Sequence, residues 1–294
     1  MSLEKQRGAS REQTADLDRM WQWATETIEA KQISPERFRG FYDGDMIDRD
    51  LAYVRRRKEE IKKGETRESE ESKKLATIFE AIVHEGIERF GWLGPDASSI
   101  RSSEYDDLKG VDGIVRFRHE GEGDAHLGLA MDVTYGSEIK KKMDRTKEDI
   151  DRGRGHLAEI KYFISPSEEG SEHSEYMGKL QVPRVVGGFN APVVRELAEL
   201  YMNSGNNEKI ASHMAQELLA GEILAQLTYW ADYAKQTGKT YIAAVYRRAA
   251  VMLERNLKLK KQQSKRDEKQ SIPQHLKEDR VYKTIQEYLK EARF

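Results

Sequence analysis

The chain has 294 residues, of which 35% are charged and 37% hydrophobic, with a formal net charge of −2 and no cysteine. That balance leaves room for one modest core with extensions. It excludes disulfides and thiolate metal sites, and it gives no global pull toward nucleic acid, so any such binding needs a local basic patch.

No apolar run approaches the roughly 20 residues that span a bilayer. The first residues also lack a secretory apolar segment. The expectation is a cytoplasmic protein with no membrane partner.

Residues 1–72 read as an N-terminal helical extension. Leu17, Met20, Trp21, Ala24 and Ile28 recur at helical spacing. Ser34 followed by Pro35 marks a second helix start, with serine as the cap and proline at the first position. The stretch 55–72 is almost entirely charged and reads as a helix end and linker. Asp43, Asp45, Asp48 and Asp50 are spaced somewhat like a calcium loop, but the glutamate that such a loop needs at its twelfth position is missing.

The stretch 73–202 carries the predicted core. Leu75, Ile78, Phe79, Ile82, Val83, Ile87 and Phe90 form one buried helical face, and Glu80 sits at its border with the polar side. A polar loop over 98–108 leads to Asp112, which stands between Val111 and Gly113 at the start of a strand. Asp106 and Asp107 in that loop are near enough to act as substitute ligands. After an acidic turn flanked by His119 and His126, a strand over 127–135 alternates Leu127, Leu129, Met131, Val133 and Tyr135 with Gly128, Ala130, Asp132 and Thr134. Ser137 then opens a helix with Ile139, Met143 and Ile150 on its apolar side and Lys140, Lys141 and Lys142 near its start. Gly153 and Gly155 stop it. A strand over 156–164 contains Glu159 and Lys161, and a polar loop over 165–179 follows. A short apolar strand over 184–189 and a helix over 192–202 complete an α/β sheet flanked by helices.

Residues 203–294 read as a C-terminal helical region. Met214, Leu218, Leu219, Ile223, Leu224, Leu227 and Trp230 form a strong stripe, which either covers the sheet or pairs with another copy as a homodimer. Between Arg247 and Lys269 nine Lys or Arg stand against three acids, a basic tail able to track phosphates. A last helix is expected over 280–294.

The order of Glu80 on a helix, Asp112 opening a strand and Asp132 in the next strand resembles the PD-(D/E)XK nuclease-like superfamily over roughly residues 73 to 165. The resemblance implies a restriction-endonuclease-like core: a central mixed sheet flanked by helices, with helical extensions at both ends. It also implies Mg²⁺- or Mn²⁺-dependent hydrolysis of phosphodiester bonds, with DNA as the expected nucleic-acid partner. Asp112, Asp132 and Glu80 would be the metal ligands, because Mg²⁺ prefers hard oxygen donors and keeps several waters. Two residues after Asp132, where the pattern has lysine, this chain has Thr134. Threonine positions a water but carries no positive charge. Either the lysine has moved, to Lys140 or its neighbours or to Lys161 if that strand borders the Asp132 strand, or catalysis is lost. In the second case the fold serves as a nucleic-acid-binding or assembly module.

Overall fold

The computed structural model describes residues 3–118, 123–132, 137–153, 157–165, 177–203, 205–263 and 272–291. It begins with α1 (Leu3–Glu29), a 3₁₀ turn (Pro35–Phe38) and α2 (Gly44–Lys63). The Ser34 side chain caps the turn as expected, and Asp43 caps α2 instead of joining a calcium loop. The central helix α3 (Arg67–Phe90) starts at Thr66, whose hydroxyl exchanges bonds with Ser69 in a capping box, and ends at Gly91 in the left-handed region. The expected extension boundary at residue 72 therefore falls inside a continuous helix.

Next come β1 (Ala97–Arg101), α4 (Glu104–Leu108), β2 (Gly113–Phe117), β3 (Ala125–Asp132), α5 (Ser137–Arg152), β4 (Ala158–Ile164), β5 (Met177–Val182) and β6 (Arg184–Gly188). The stretch 98–108 is thus a strand and a helical turn where a loop was expected, and β5 takes the end of the second expected loop. Helices α6 (Ala191–Met202), α7 (Asn207–Ser212), α8 (Ala215–Gln236), α9 (Thr240–Gln263), α10 (Gln274–Lys277) and α11 (Arg280–Glu291) follow.

The protein is α/β, with a mixed four-stranded sheet in the order β1-β2-β3-β6 and a separate β4-β5 ribbon. The first three strands form an antiparallel meander, and β6 returns parallel to β3. Alternation decides what each face buries. Val115, Phe117, Leu127 and Leu129 join a core with α1, α3, α6, α8, α9 and α11. Ile100, Val111 and Ile114 pack with Phe38, Ile47 and the ribbon residues Ile160, Tyr162 and Val182. The first of these cores runs from Leu17 to Leu289, so both helical extensions help to bury the same sheet. Leu218, Leu219, Ile223, Leu227 and Trp230 of the C-terminal stripe are buried in it, and no second copy is needed to cover them.

The free edge of β6 is closed by side chains. Gln226 accepts from Val186 N at 2.9 Å and donates to Val186 O at 2.6 Å, as a neighbouring strand would. The Tyr246 hydroxyl lies 3.2 Å from both Arg184 N and Arg184 O. Glu222, fully buried, accepts from Gly188 N at 3.5 Å. Burial, and then the Asp279 charge, push its carboxyl well above the usual range, against the bond from Gly188. Gln226→Leu would strand two buried backbone groups, each costing about 1–3 kcal/mol. A loss of about 2–6 kcal/mol in urea unfolding is expected, and an unchanged midpoint would refute the pairing.

Candidate functional site

Asp112 lies just before β2, only 8% exposed. Its N–H donates to Leu129 O at 2.9 Å, and the Ser102 hydroxyl donates to the carbonyls of Val111 and Asp112 at 2.6 and 3.0 Å. With the backbone pinned in this way, the Asp112 carboxylate accepts from Met131 N at 2.5 Å. Lys142 of α5 donates to Met131 O at 2.7 Å. An aspartate and an ammonium therefore take the two backbone groups of one residue, beyond the point where β2 stops pairing. That residue directly precedes Asp132.

Glu80 comes to this place from α3, its side chain 17% exposed. Arg101 of β1, with its side chain 1% exposed, donates to the Glu80 carboxylate at 3.1 Å. Its Nε and Nη1 have no hydrogen-bond partner among the described residues, so two charged donors are held in reserve there. Asp107 completes the group from α4. Burial, then the Asp112 and Glu80 charges and a hydrogen bond with Asp112, push its carboxyl well above the usual range, against the pull of Arg101. Glu80 is pushed up to about 7 by burial and the Asp112 charge, against Arg101 and Lys142. Carboxylates that raise each other's pKa share one field, and a cation relieves the repulsion.

Of the residues expected at the site, the structure thus gathers Glu80 and Asp112. Asp132 ends β3 opposite Gly188; its side chain lies outside the described residues, as does all of Thr134. Lys140 is exposed on α5. The strand of Lys161 does not border β3, whose partners are β2 and β6. Its ammonium instead pairs with Asp50 of α2 and lies 5.2 Å from the Tyr105 ring centre. Asp106 has a structural task. It accepts from Lys161 N at 2.8 Å and Tyr162 N at 3.2 Å, filling the register shift in β4. Of the two histidines, His126 is half-buried and driven down to about 4 by desolvation, so it is neutral at pH 7, and His119 lies outside the described residues.

Arg101 was missed in the sequence because it sits in a stretch with no strand pattern. Lys142 was in view among three lysines. It is three residues after Ile139 and four before Thr146, both buried, and that helical phase is the signal that singles it out.

No protein-family model, curated protein or solved structure matches this chain. Among the described residues, which leave out the Asp132 side chain, no three His, Asp or Glu side chains form a group able to hold a metal ion. The donors that do converge are carboxylate oxygens, the type suited to Mg²⁺ or Mn²⁺. No described helix is long and apolar enough to cross a membrane.

Proposed function

We propose that the chain is a metal-dependent nuclease hydrolysing phosphodiester bonds, with DNA as the first substrate to test. The sheet and its flanking helices are read as a restriction-endonuclease-like core. The observation that carries the proposal is the pairing of the Asp112 carboxylate and the Lys142 ammonium on Met131, with Glu80 and Asp107 in the same electrostatic field. Asp112, Asp132 and Glu80 would hold Mg²⁺ or Mn²⁺, with the Asp107 carboxyl in the same electrostatic field. When bound, the ion would activate a water and offset the charge developing on the phosphate. Arg101 orients Glu80. Lys142 takes the part that Thr134 cannot, placing a positive charge beside Asp112 from the following helix.

The direct test is cleavage of linear, supercoiled and single-stranded DNA and of RNA with Mg²⁺ or Mn²⁺. Lys142→Met should slow cutting by about a hundredfold, the usual loss for one electrostatic donor. Lys140→Met should leave the rate nearly unchanged. Lys161→Met should act instead on stability, since it breaks a buried ion pair. Equal rates for Lys142→Met and wild type would reject the assignment.

Glu80 also sets a pH dependence. With its carboxyl raised from 4.5 to about 7, its contribution to stability is fully present below 4.5 and is lost as pH rises through about 7. A cation needs the ionised form, so apparent Mn²⁺ affinity should fall as pH drops below about 7. Calorimetric titration at several pH values reads this directly, and pH-independent affinity would exclude Glu80 as a ligand. The second reading, a nucleic-acid-binding module that does not cut, rests on Thr134. It would appear as salt-sensitive DNA retention without cleavage under any metal.

A further inference from the structure

Beside the carboxylates, a cleft of about 230 Å³ opens where α4, the 109–111 turn, α5, β4 and the start of β6 meet. Its walls carry four cations, Lys109, Arg145, Lys161 and Arg184, and two carboxylates, Asp149 and Glu159. The acids are committed. Glu159 takes Lys179 at 3.1 Å, and Asp149 holds Arg184 at 2.8 Å with Arg152 at 3.6 Å. Lys161 is paired with Asp50. Lys109 and Arg145 have no carboxylate partner among the described residues; Lys109 lies 4.5 Å from the Tyr53 ring centre.

Gly110 brings the cations together. Its φ is +87°, and a Cβ there would stand 3.0 Å from Arg145 Nη1 and 3.7 Å from Arg184 Nη1. Two guanidiniums thus converge over one bare backbone position, and Arg184 is itself only 5% exposed. Burial and the Arg145 charge pull the Arg184 guanidinium below its usual value, against Asp149. Asp149, already shared between Arg184 and Arg152, does not neutralise two converging forks. An anion with several oxygens does, since each planar fork bonds such a group at two points.

We propose that this cleft binds a phosphate group, held between Arg145 and Arg184 with Lys109 at its side. Its wall residue Val111 directly precedes Asp112, so a strand phosphate bound here would place the neighbouring linkage by the carboxylates. The cleft does not depend on cleavage. It would serve a cutting and a non-cutting protein alike, and a small phosphate ester offers the same chemistry.

The test uses the full chain in EDTA, so that metal-dependent cutting does not enter. A short fluorescent single-stranded DNA is followed by anisotropy at several salt concentrations, and inorganic phosphate is titrated by calorimetry. Arg145→Gln and Lys109→Gln touch no carboxylate, so the fold should persist, which circular dichroism verifies. Each variant should weaken binding by about tenfold, the worth of one charge-assisted hydrogen bond. The slope of log K against log salt should flatten by about 0.7 for every strand phosphate that the variant no longer neutralises. If the oligonucleotide senses the variants and inorganic phosphate competes with it, the ligand is a strand phosphate. If only inorganic phosphate senses them, the ligand is a small ester. A double variant that binds both probes as wild type does, or a wild type that binds neither, overturns the proposal. Absence of cutting with cleft-dependent retention would remove the nuclease reading alone.

Discussion

Asp112→Asn is expected to lower metal-dependent cleavage by at least about a thousandfold while the fold persists. The substitution keeps shape, and the amide oxygen can still accept from Met131 N, the bond that sets the end of β3. The charge is what disappears. Asp112 is the residue whose charge raises both Glu80 and Asp107. Burial, the larger cause, remains, but neutralising Asp112 should still bring the Glu80 carboxyl down from about 7. Two readouts then move together: the rate collapses, and the pH near 7 at which the Glu80 contribution to stability is lost shifts down. A rate that survives with Mg²⁺ or Mn²⁺ would remove Asp112 from the site. A collapsed rate with that pH unmoved would show that the carboxylates do not share one field.

Gly94→Ala should be among the most destabilising single changes in the chain, at about 3–5 kcal/mol. The turn after α3 is a junction of three helices. Trp92, fully buried, donates its indole N–H to Ile210 O of α7 at 3.3 Å. Its carbonyl accepts from Lys260 of α9 at 2.8 Å, and Asp96 N donates to the Asn256 side chain at 2.9 Å. Between these bonds Gly94 lies against α9 itself. A Cβ would come within 2.6 Å of Asn256 O, and the φ of +101° is one that alanine adopts only with strain. The clash is with backbone and has no flexible side chain to relieve it. Chemical denaturation against wild type measures the effect, and a change under about 1 kcal/mol would mean that the turn moves freely away from α9.

What could be read in the sequence followed the strength of each periodic signal. Helix α3 stood out because Ile78, Phe79, Ile82, Val83 and Ile87 repeat over several turns, and all are buried. The strand β1, Ala-Ser-Ser-Ile-Arg, buries only part of its length and lacks β-branched alternation, so nothing local separated it from a loop. Tertiary pairing with β2 makes it a strand. The one-turn helix α4 is likewise fixed by what Asp106 bonds across the chain. Glu80 and Asp112 were legible because a carboxylate next to a buried face or a glycine breaks the surrounding pattern. Arg101 was not, because a buried arginine has no sequence signature apart from the acid that it meets. Lys142 and Lys140 differ only in the helical angle that they present.

The closure of β6 reaches back to the ribosome. The groups that seal its edge lie 34, 40 and 62 residues further along the chain, at Glu222, Gln226 and Tyr246. At the usual pace of synthesis, Tyr246 follows Arg184 by about 3 to 12 s. Through that interval the nascent sheet carries an open row of amides and carbonyls with the β-rich 184–188 segment on display. The chain is then exposed to strand-to-strand misassembly, and a translational pause between β6 and α9 would prolong that exposure.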